Sequence, residues 1–150
     1  MPEATPIYTA TTREAIRETC RAAARKYGLD ETLFLRQIKQ ESAFDPNAED
    51  GDCKGLGQIS LTFYPLSNHV YWPHGDWRNV EDNVNLAAYI MAGYLKAHDG
   101  NWLRALACYN AGPGYVGERL ALYPKDWILW MPSNTVYYFD QILGGNVNDN

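Results

Sequence analysis

The sequence lacks the features that mark nucleic-acid-binding, membrane-spanning or exported proteins. Its 150 residues carry a net charge of −5, and no cluster of basic residues exceeds two. Nucleic acids and anionic membrane surfaces attract concentrated positive charge, so we expect neither as a partner. No apolar run approaches the length of about 20 residues that spans a membrane. The first residues, Met1-Pro2-Glu3, lack the apolar stretch of a signal peptide.

Cysteine is scarce, and the few cysteines do not have the close spacing of metal ligands. Cys20 and Cys108 fall within helical patterns, which favours small core residues, and Cys53 leaves the count odd. Other potential ligands lie on an irregular stretch without a recognised spacing: His69, His74 and Asp76. We therefore predict no disulfide framework, no metal site and no cofactor.

Aromatic residues, in contrast, are abundant, with five Trp and eleven Tyr. This is more than a core of this size needs, and both side chains join an apolar ring to a polar tip that suits a binding surface. Five aromatic residues lie between Phe63 and Trp77, where Pro65 and Pro73 exclude the interior of a helix. The rings of this stretch either line a binding surface or cover the core beneath a long loop.

Most of the remaining chain has the apolar periodicity of helices, without alternation of strands and helices. We predict a mainly α domain with long ordered loops and at most a small β element, over residues 11–145. A loose segment, residues 1–10, precedes it, and a tail, residues 146–150, follows. Helices are predicted from the Thr11-x-x-Glu14 capping box to Gly28, from Asp30 to before Pro46, and over residues 79–98, 102–110, 115–122 and 134–143.

Glu41 is the first candidate for chemistry. It continues the apolar stripe of Phe34 and Ile38 at helical spacing, although a carboxylate is rarely buried without a partner. The last turn of a helix disfavours an anion, so position and partial burial would both raise the pKa of this carboxyl. A raised pKa suits a general acid near neutral pH. A groove-edge or ion-paired glutamate explains this helix equally well.

Two further polar stretches accompany Glu41-Ser42. One is Gly55-Leu56-Gly57-Gln58-Ile59, where glycine permits close approach of a ligand and Gln58 both donates and accepts. The other is Cys108-Tyr109-Asn110-Ala111-Gly112-Pro113-Gly114. Taken singly, the first is explained by a tight turn with a surface Gln, and Asn110 by a helix C-cap.

Together, the order and spacing of these stretches resemble the lytic transglycosylases of the goose-type lysozyme superfamily. That family has Glu-Ser followed by a Pro, then Gly-Leu-Met-Gln-Ile, Ala-Tyr-Asn-Ala-Gly and a late Tyr. Here the late Tyr matches Tyr138, with Tyr137 as the one-residue alternative, and the resemblance covers about residues 27–143. Gly57 replaces the usual Met of the second motif, and Ser60 stands where many members have another Met.

The resemblance implies a lysozyme-like fold with a groove for glycan strands. It implies that Glu41 is the catalytic acid and base and that Tyr138 contacts its carboxyl. It also implies that the remaining motif residues bind the substrate or position the acid: Ser42, Gln58, Ile59, Tyr109 and Asn110. The aromatic stretch from Phe63 to Trp77 then becomes a candidate for stacking on sugars.

The activity that the resemblance implies is cleavage of peptidoglycan between N-acetylmuramic acid and N-acetylglucosamine, with formation of a 1,6-anhydro ring. One alternative is hydrolysis, as in goose-type lysozymes, with a second carboxylate from the loop: Glu49, Asp50 or Asp52. Another alternative is a catalytically silent glycan-binding module of a cell-wall or virion assembly. Because the substrate lies outside the cytoplasm, we expect a phage lysin, a virion-associated domain or a piece of a longer protein.

Overall fold

The computed structural model describes residues 10–144, so the ends of the chain, residues 1–9 and 145–150, lie outside it. Helices predominate in the described part: α1 (Ala10–Tyr27), α2 (Glu31–Ser42), α3 (Val80–Ala97), α4 (Trp102–Ala111), α5 (Pro113–Leu122) and α6 (Ser133–Gly144). Three strands of two residues each and one short 3-10 helix (Trp127–Trp130) complete it; the strands are β1 (Glu49–Asp50), β2 (Cys53–Lys54) and β3 (Ile59–Ser60). The predicted mainly α class with a small β element is confirmed.

The chain divides into two compact units, Met1–Ala88 and Tyr89–Asn150, with the boundary inside α3. The predicted loose segment and tail fall almost entirely on residues outside the described part, and the single-domain boundaries 11–145 stay a prediction. None of the described helices combines the length and the apolar character that crossing a lipid bilayer requires.

In the first unit, α1 packs against α2 through apolar faces. The buried side of α1 carries Ile16, Cys20 and Ala23, which recur at the spacing of one helix face. Gly28, with a φ of 71°, ends α1 in the left-handed region that glycine adopts without strain. Asp30 caps α2, since its carboxylate accepts a hydrogen bond from the backbone N–H of Leu33 at 2.9 Å.

Residues 47–57, predicted as an ordered loop, contain a hairpin instead. β1 pairs antiparallel with β2, Asp50 opposite Cys53, and the turn between them holds Gly51 with a φ of 58°. β2 pairs antiparallel with β3, Cys53 opposite Ser60, which gives a sheet in the order β1-β2-β3. Strands of two residues are too short to show the alternation that predicts a strand.

The aromatic stretch after β3 has no helix or strand, as predicted, and its two tryptophans are core residues. Trp72 is fully buried, and its indole N–H donates to the carbonyl oxygen of Tyr64 at 2.8 Å. Tyr64 meets Tyr71 edge to face, with ring centroids 5.2 Å apart. Phe63 differs because it is 76% exposed. The two tryptophans therefore belong to the core, Tyr64 and Tyr71 are half-buried, and Phe63 is the exposed aromatic ring among these five.

In the second unit, α4 packs against α5 and α6. Asn101 caps α4 by accepting from the backbone N–H of Arg104 at 3.0 Å. Gly112, with a φ of 96°, separates α4 from α5. Pro113 begins α5 two residues before the predicted start. α6 begins at Ser133, so Asn134 lies in its first turn and is not the cap that the sequence suggested.

Candidate active site

Glu41 lies in the last turn of α2, and the end of that helix is fixed by two residues with positive φ. Ala43 has a φ of 55° and donates its backbone N–H to the carbonyl oxygen of Lys39 at 2.8 Å. Phe44 follows with a φ of 63° and is buried. Such angles are uncommon outside glycine, so the surrounding structure must hold them.

Cationic side chains surround the Phe44 ring and supply part of that support. The Arg13 guanidinium carbon lies 5.3 Å from the ring centroid, and the Arg13 side chain also donates to the carbonyl oxygen of Ala43 at 3.3 Å. Arg17 and Lys39 approach the same ring at 5.8 Å. Cations within about 6 Å of a ring centroid are attracted to its face. The turn after Glu41 is therefore held in place, which orients the last turn of α2.

The side chain of Glu41 is half-buried, and it follows Phe34 and Ile38, which are fully buried on the same stripe. Its charge acts on Cys53 of β2: burial raises the pKa of the Cys53 thiol, and the Glu41 carboxylate raises it further. Glu41 therefore lies at the border between the core and solvent, and its charge reaches Cys53 in the sheet.

Ser42 is buried, and its hydroxyl donates to the carbonyl oxygen of Ile38 at 3.1 Å. Ile59 is buried in β3 and belongs to the core. The predicted sugar contacts of both residues stay predictions. The Ser42 hydroxyl bonds within its own helix, and the Ile59 side chain is buried from its position in β3.

Gln58 has a side chain whose orientation is determined by its neighbours. Nε2 donates to two carbonyl oxygens, those of Ala48 at 3.1 Å and Gly55 at 3.0 Å. The amide nitrogen must face these two carbonyl oxygens, because the amide oxygen in that position would find no hydrogen-bond donor. Gln58 therefore presents Oε1, an acceptor. Its backbone has a φ of 49°, the left-handed conformation that is uncommon for residues other than glycine.

Two of the three loop carboxylates considered for hydrolysis are held by an ion pair or by hydrogen bonds to other residues of the first unit. Glu49 pairs with Lys54 at 2.8 Å, and this hydrogen bond lowers the pKa of Glu49. Asp52 accepts hydrogen bonds from the Ser60 hydroxyl and the backbone N–H of Thr62, and both lower its pKa. Asp50 is exposed at the end of β1. A lowered pKa makes a carboxylate a weaker base, so Glu49 and Asp52 are poorly suited to activate water.

Asn83, which no motif revealed, lies in the first turns of α3 and is 1% exposed. Nδ2 donates to the carbonyl oxygens of Lys54 and Trp77, both at 3.0 Å, and Oδ1 accepts from the backbone N–H of Gly57 at 2.8 Å. Its partners on the loop lie 26 and 29 residues away in sequence. The available sequence signal was a polar residue among the apolar positions of a predicted helix.

In the second unit, Tyr109 and Asn110 lie in the last turn of α4. Asn110 is exposed, and its Oδ1 accepts from the hydroxyl of Thr135 at 2.7 Å. The C-cap of α4 is Gly112, whose backbone N–H donates to the carbonyl oxygen of Cys108. The alternative interpretation of Asn110 as a helix cap is therefore wrong.

Tyr137 and Tyr138 are adjacent on α6 and differ sharply in exposure. Tyr138 is 4% exposed and Tyr137 is 59% exposed. Neighbours on a helix point about 100° apart, so one faces inward and the other faces solvent. Tyr138 is therefore the member of the pair that faces the protein interior.

Within residues 10–144, no group of three or more His, Cys, Asp or Glu side chains is arranged to hold a metal ion. His74 instead pairs with Asp82 at 2.9 Å, and the Cys108 sulfur lies 3.4 Å from Nε2 of His98. Burial raises the pKa of Cys108 to about 11 and that of Cys20 to about 12. Both thiols are therefore protonated at neutral pH.

Comparisons with known proteins agree with the resemblance seen in the motifs. Residues 18–126 match the family model described as Transglycosylase SLT domain. The chain is 25% identical over 118 residues to membrane-bound lytic murein transglycosylase C of Serratia proteamaculans, and 26% identical over 118 residues to the protein of that name from Cronobacter sakazakii. Each match covers 71% of this chain, but the chain spans only 33% and 32% of the lengths of these relatives.

A solved structure has a similar fold. It is the X-ray structure of the lytic transglycosylase Slt of Pseudomonas aeruginosa, an inactive mutant in which a glutamate is replaced by glutamine. The TM-score is 0.68 with 27% sequence identity, over 85% of this chain and 22% of that chain. The likeness confirms the predicted lysozyme-like fold class.

Proposed function

The chain belongs to the transglycosylase SLT domain family, and on that basis we propose that it cleaves peptidoglycan by a lytic transglycosylase reaction. The bond broken is the β-1,4 linkage between N-acetylmuramic acid and N-acetylglucosamine, and the product carries a 1,6-anhydro ring. The observation that carries the proposal is the place of Glu41: a half-buried carboxyl that continues an apolar stripe, on a helix end held by neighbouring residues.

The reaction needs a single carboxyl. Protonated Glu41 gives its proton to the leaving glycosidic oxygen, while the substrate's own N-acetyl group stabilises the positive charge at C1. Glu41, now a carboxylate, takes the proton of the muramic 6-hydroxyl, and that oxygen closes onto C1. The carboxyl ends the cycle protonated, and no water is consumed. Since one group acts as acid and then as base, a pKa near the working pH suits it.

We propose that Gln58 binds a donor group of the substrate. Both protons on Nε2 are already given to carbonyl oxygens, so Oε1 is the atom that Gln58 offers. The acetamido N–H and the hydroxyls of the sugars are donors of the required kind.

We propose that Asn110 has the opposite polarity. Its Oδ1 already accepts from Thr135, so its amino group is the part that can donate to a sugar oxygen. Tyr109 and Tyr138 are assigned to the substrate site on the strength of the motifs, and the low exposure of Tyr138 supports its choice over Tyr137. Ser42 and Ile59 are assigned on the motifs alone.

The products test this proposal directly. Purified peptidoglycan is digested in water enriched in heavy oxygen, and the masses of the released muropeptides are recorded. Anhydro ends without label are expected, since the muramic hydroxyl is the nucleophile. Labelled reducing ends as the main product would replace the transglycosylase with a hydrolase. Asp50→Asn and Asp52→Asn would then identify the base. Absence of any released muropeptide would favour the non-catalytic binding module.

The proposed substrate places the activity at the bacterial cell wall. The relatives named above are lytic murein transglycosylases, which supports peptidoglycan as the partner. The phage or virion origin expected from the sequence stays a prediction.

A further inference from the structure

We propose that Asn83 is a positioning residue that holds Gln58 in the orientation the substrate requires. The proposal rests on the proposed function, because it assigns Asn83 a role in that reaction through Gln58. It concerns residues of the first unit alone.

The amide of Asn83 bonds to three backbone groups from two separate segments. Nδ2 donates to the carbonyl oxygens of Lys54 and Trp77, and Oδ1 accepts from the N–H of Gly57. Both protons and the oxygen are thus in use, and swapping the two ends of the amide would break all three bonds. Since Asn83 is buried, each bond lost would leave a polar group unsatisfied away from water.

The contact with Asn83 also explains why glycine occupies position 55. A Cβ on Gly55 would collide with Nδ2 of Asn83 and lie 3.0 Å from the carbonyl oxygen of Trp77. Gly55 also has a φ of 75°, in the region that glycine favours. The loop can therefore lie directly against the Asn83 amide, and its backbone has little room to shift.

The position of Gly55 in turn determines the orientation of Gln58. The carbonyl oxygen of Gly55 accepts from the backbone N–H of Gln58 and from its side-chain Nε2, both at 3.0 Å. The N–H of Gly55 donates to the carbonyl oxygen of Ala48 at 2.7 Å, and Ala48 also accepts from Nε2 of Gln58. Asn83 binds the residues on either side of Gly55 and Leu56, namely Lys54 and Gly57. Without it, the carbonyl groups that orient Gln58 lose their support.

The first test compares substitutions at Asn83 with a control at Asn79, the residue that directly precedes the same helix. Asn83→Asp keeps the shape and the bond from Gly57 but removes both donated protons, and Asn83→Ser removes the amide. The control is Asn79→Ala, which removes a side chain that accepts from the N–H of Asp82 in the first turn of α3. We expect kcat to fall about tenfold or more for both Asn83 variants, and to change less than about twofold for the control. Equal losses of kcat in all three variants would mean that the substitutions act only by destabilising α3, and this result would overturn the proposal.

A double substitution asks whether Asn83 acts through Gln58. Gln58→Ala is expected to lower kcat, and Asn83→Ser in that background is expected to add less than about a twofold further loss. If the loss of kcat in the double variant equals the product of the losses in the two single variants, the two residues act independently and the proposal is overturned. Full activity of Gln58→Ala would also overturn it.

A measurement that needs no activity separates this inference from the proposed function. Hydrogen exchange of the Gln58 side-chain amide, followed by NMR, is expected to be slow in the wild-type protein and in Asn79→Ala. It is expected to become fast in Asn83→Asp. Fast exchange of the Gln58 amide in the wild-type protein overturns the inference even if neither Asn83 variant folds. If the wild-type protein releases no muropeptides, the proposed function fails, while the exchange data still decide whether Asn83 orients Gln58.

Discussion

Glu41 is the side chain on which the proposed chemistry depends. Glu41→Gln keeps the shape but cannot supply a proton, so the rate of muropeptide release should fall about 10²-fold or more. Glu31→Gln on the same helix is the matched control, because Glu31 pairs with Arg25 at the opposite end of α2. Wild-type rates for Glu41→Gln in a turbidity assay on purified cell walls would remove Glu41 from the mechanism.

Gln37 lies one helical turn before Glu41 and is fully buried. Among residues 10–144, neither its Nε2 nor its Oε1 has a hydrogen-bond partner. An unsatisfied buried polar group costs about 1–3 kcal/mol, and an apolar side chain of similar shape avoids that cost. We therefore expect Gln37→Met to raise the free energy of unfolding by an amount in that range.

Urea unfolding of Gln37→Met measures this gain. Gln40→Met, at a half-exposed position of the same helix, should change the free energy of unfolding by less than about 0.5 kcal/mol. A loss of stability in Gln37→Met would mean that the amide is satisfied in solution, for example by an internal water molecule.

The stripe of one helix drew attention to Glu41, but it was the order of the motifs along the chain that favoured a catalytic role for this residue. Asn83 escaped sequence reasoning because its partners on the loop lie 26 and 29 residues away. The orientation of Gln58 could not be predicted either, because two backbone carbonyls determine it and neither leaves a mark in the sequence.

Among the elements, the aromatic stretch after β3 is tied to the first turn of α3 by His74 and Asp82. Buried Asp82 accepts from the backbone N–H of His74 at 2.8 Å and faces its Nδ1 at 2.9 Å. The hydrogen bond to Asp82, and then the charge of Asp82, raise the pKa of His74 above 6.5.

A histidine whose pKa is raised on folding makes its full contribution to stability when the pH is below the pKa of the histidine in the unfolded state. That contribution is lost as the pH rises through the pKa of the histidine in the folded protein. The free energy of unfolding should therefore decline from pH 6.5 upward, and His74→Gln should remove this part of the decline. Urea unfolding at a series of pH values measures it, with His69→Gln, an exposed histidine of the same stretch, as the control. An unchanged slope in His74→Gln would contradict the assignment.

The helices were predicted to within a few residues because periodicity and end signals coincide. Asp30 caps α2 and Gly28 ends α1, as their residue types suggested. The strands of the small sheet could not be located from the sequence, because pairing across the loop holds these two-residue strands and a local pattern does not encode such pairing. The hydrogen bond from the Trp72 indole to the carbonyl oxygen of Tyr64 likewise has no signal in the local pattern.

Taken as a whole molecule, the described chain contains three unpaired thiols in different environments. Cys20 and Cys108 are buried with strongly raised pKa values, whereas Cys53 is half-buried. Thiolates are the reactive form, so a thiol reagent should modify native protein at Cys53 first and the other two only after unfolding. Mass spectrometry of the intact protein at early times tests this. Early modification of Cys20 or Cys108 would contradict the burial described above.

The charge of Glu41 acts on the Cys53 thiol, so the reactivity of this thiol reports on the proposed acid. Because the Glu41 carboxylate raises the pKa of Cys53, alkylation of Cys53 is faster when Glu41 is neutral. Comparing alkylation rates of the wild-type protein and Glu41→Gln across pH would therefore trace the titration of Glu41 itself. It would do so in the resting protein, before any glycan is added.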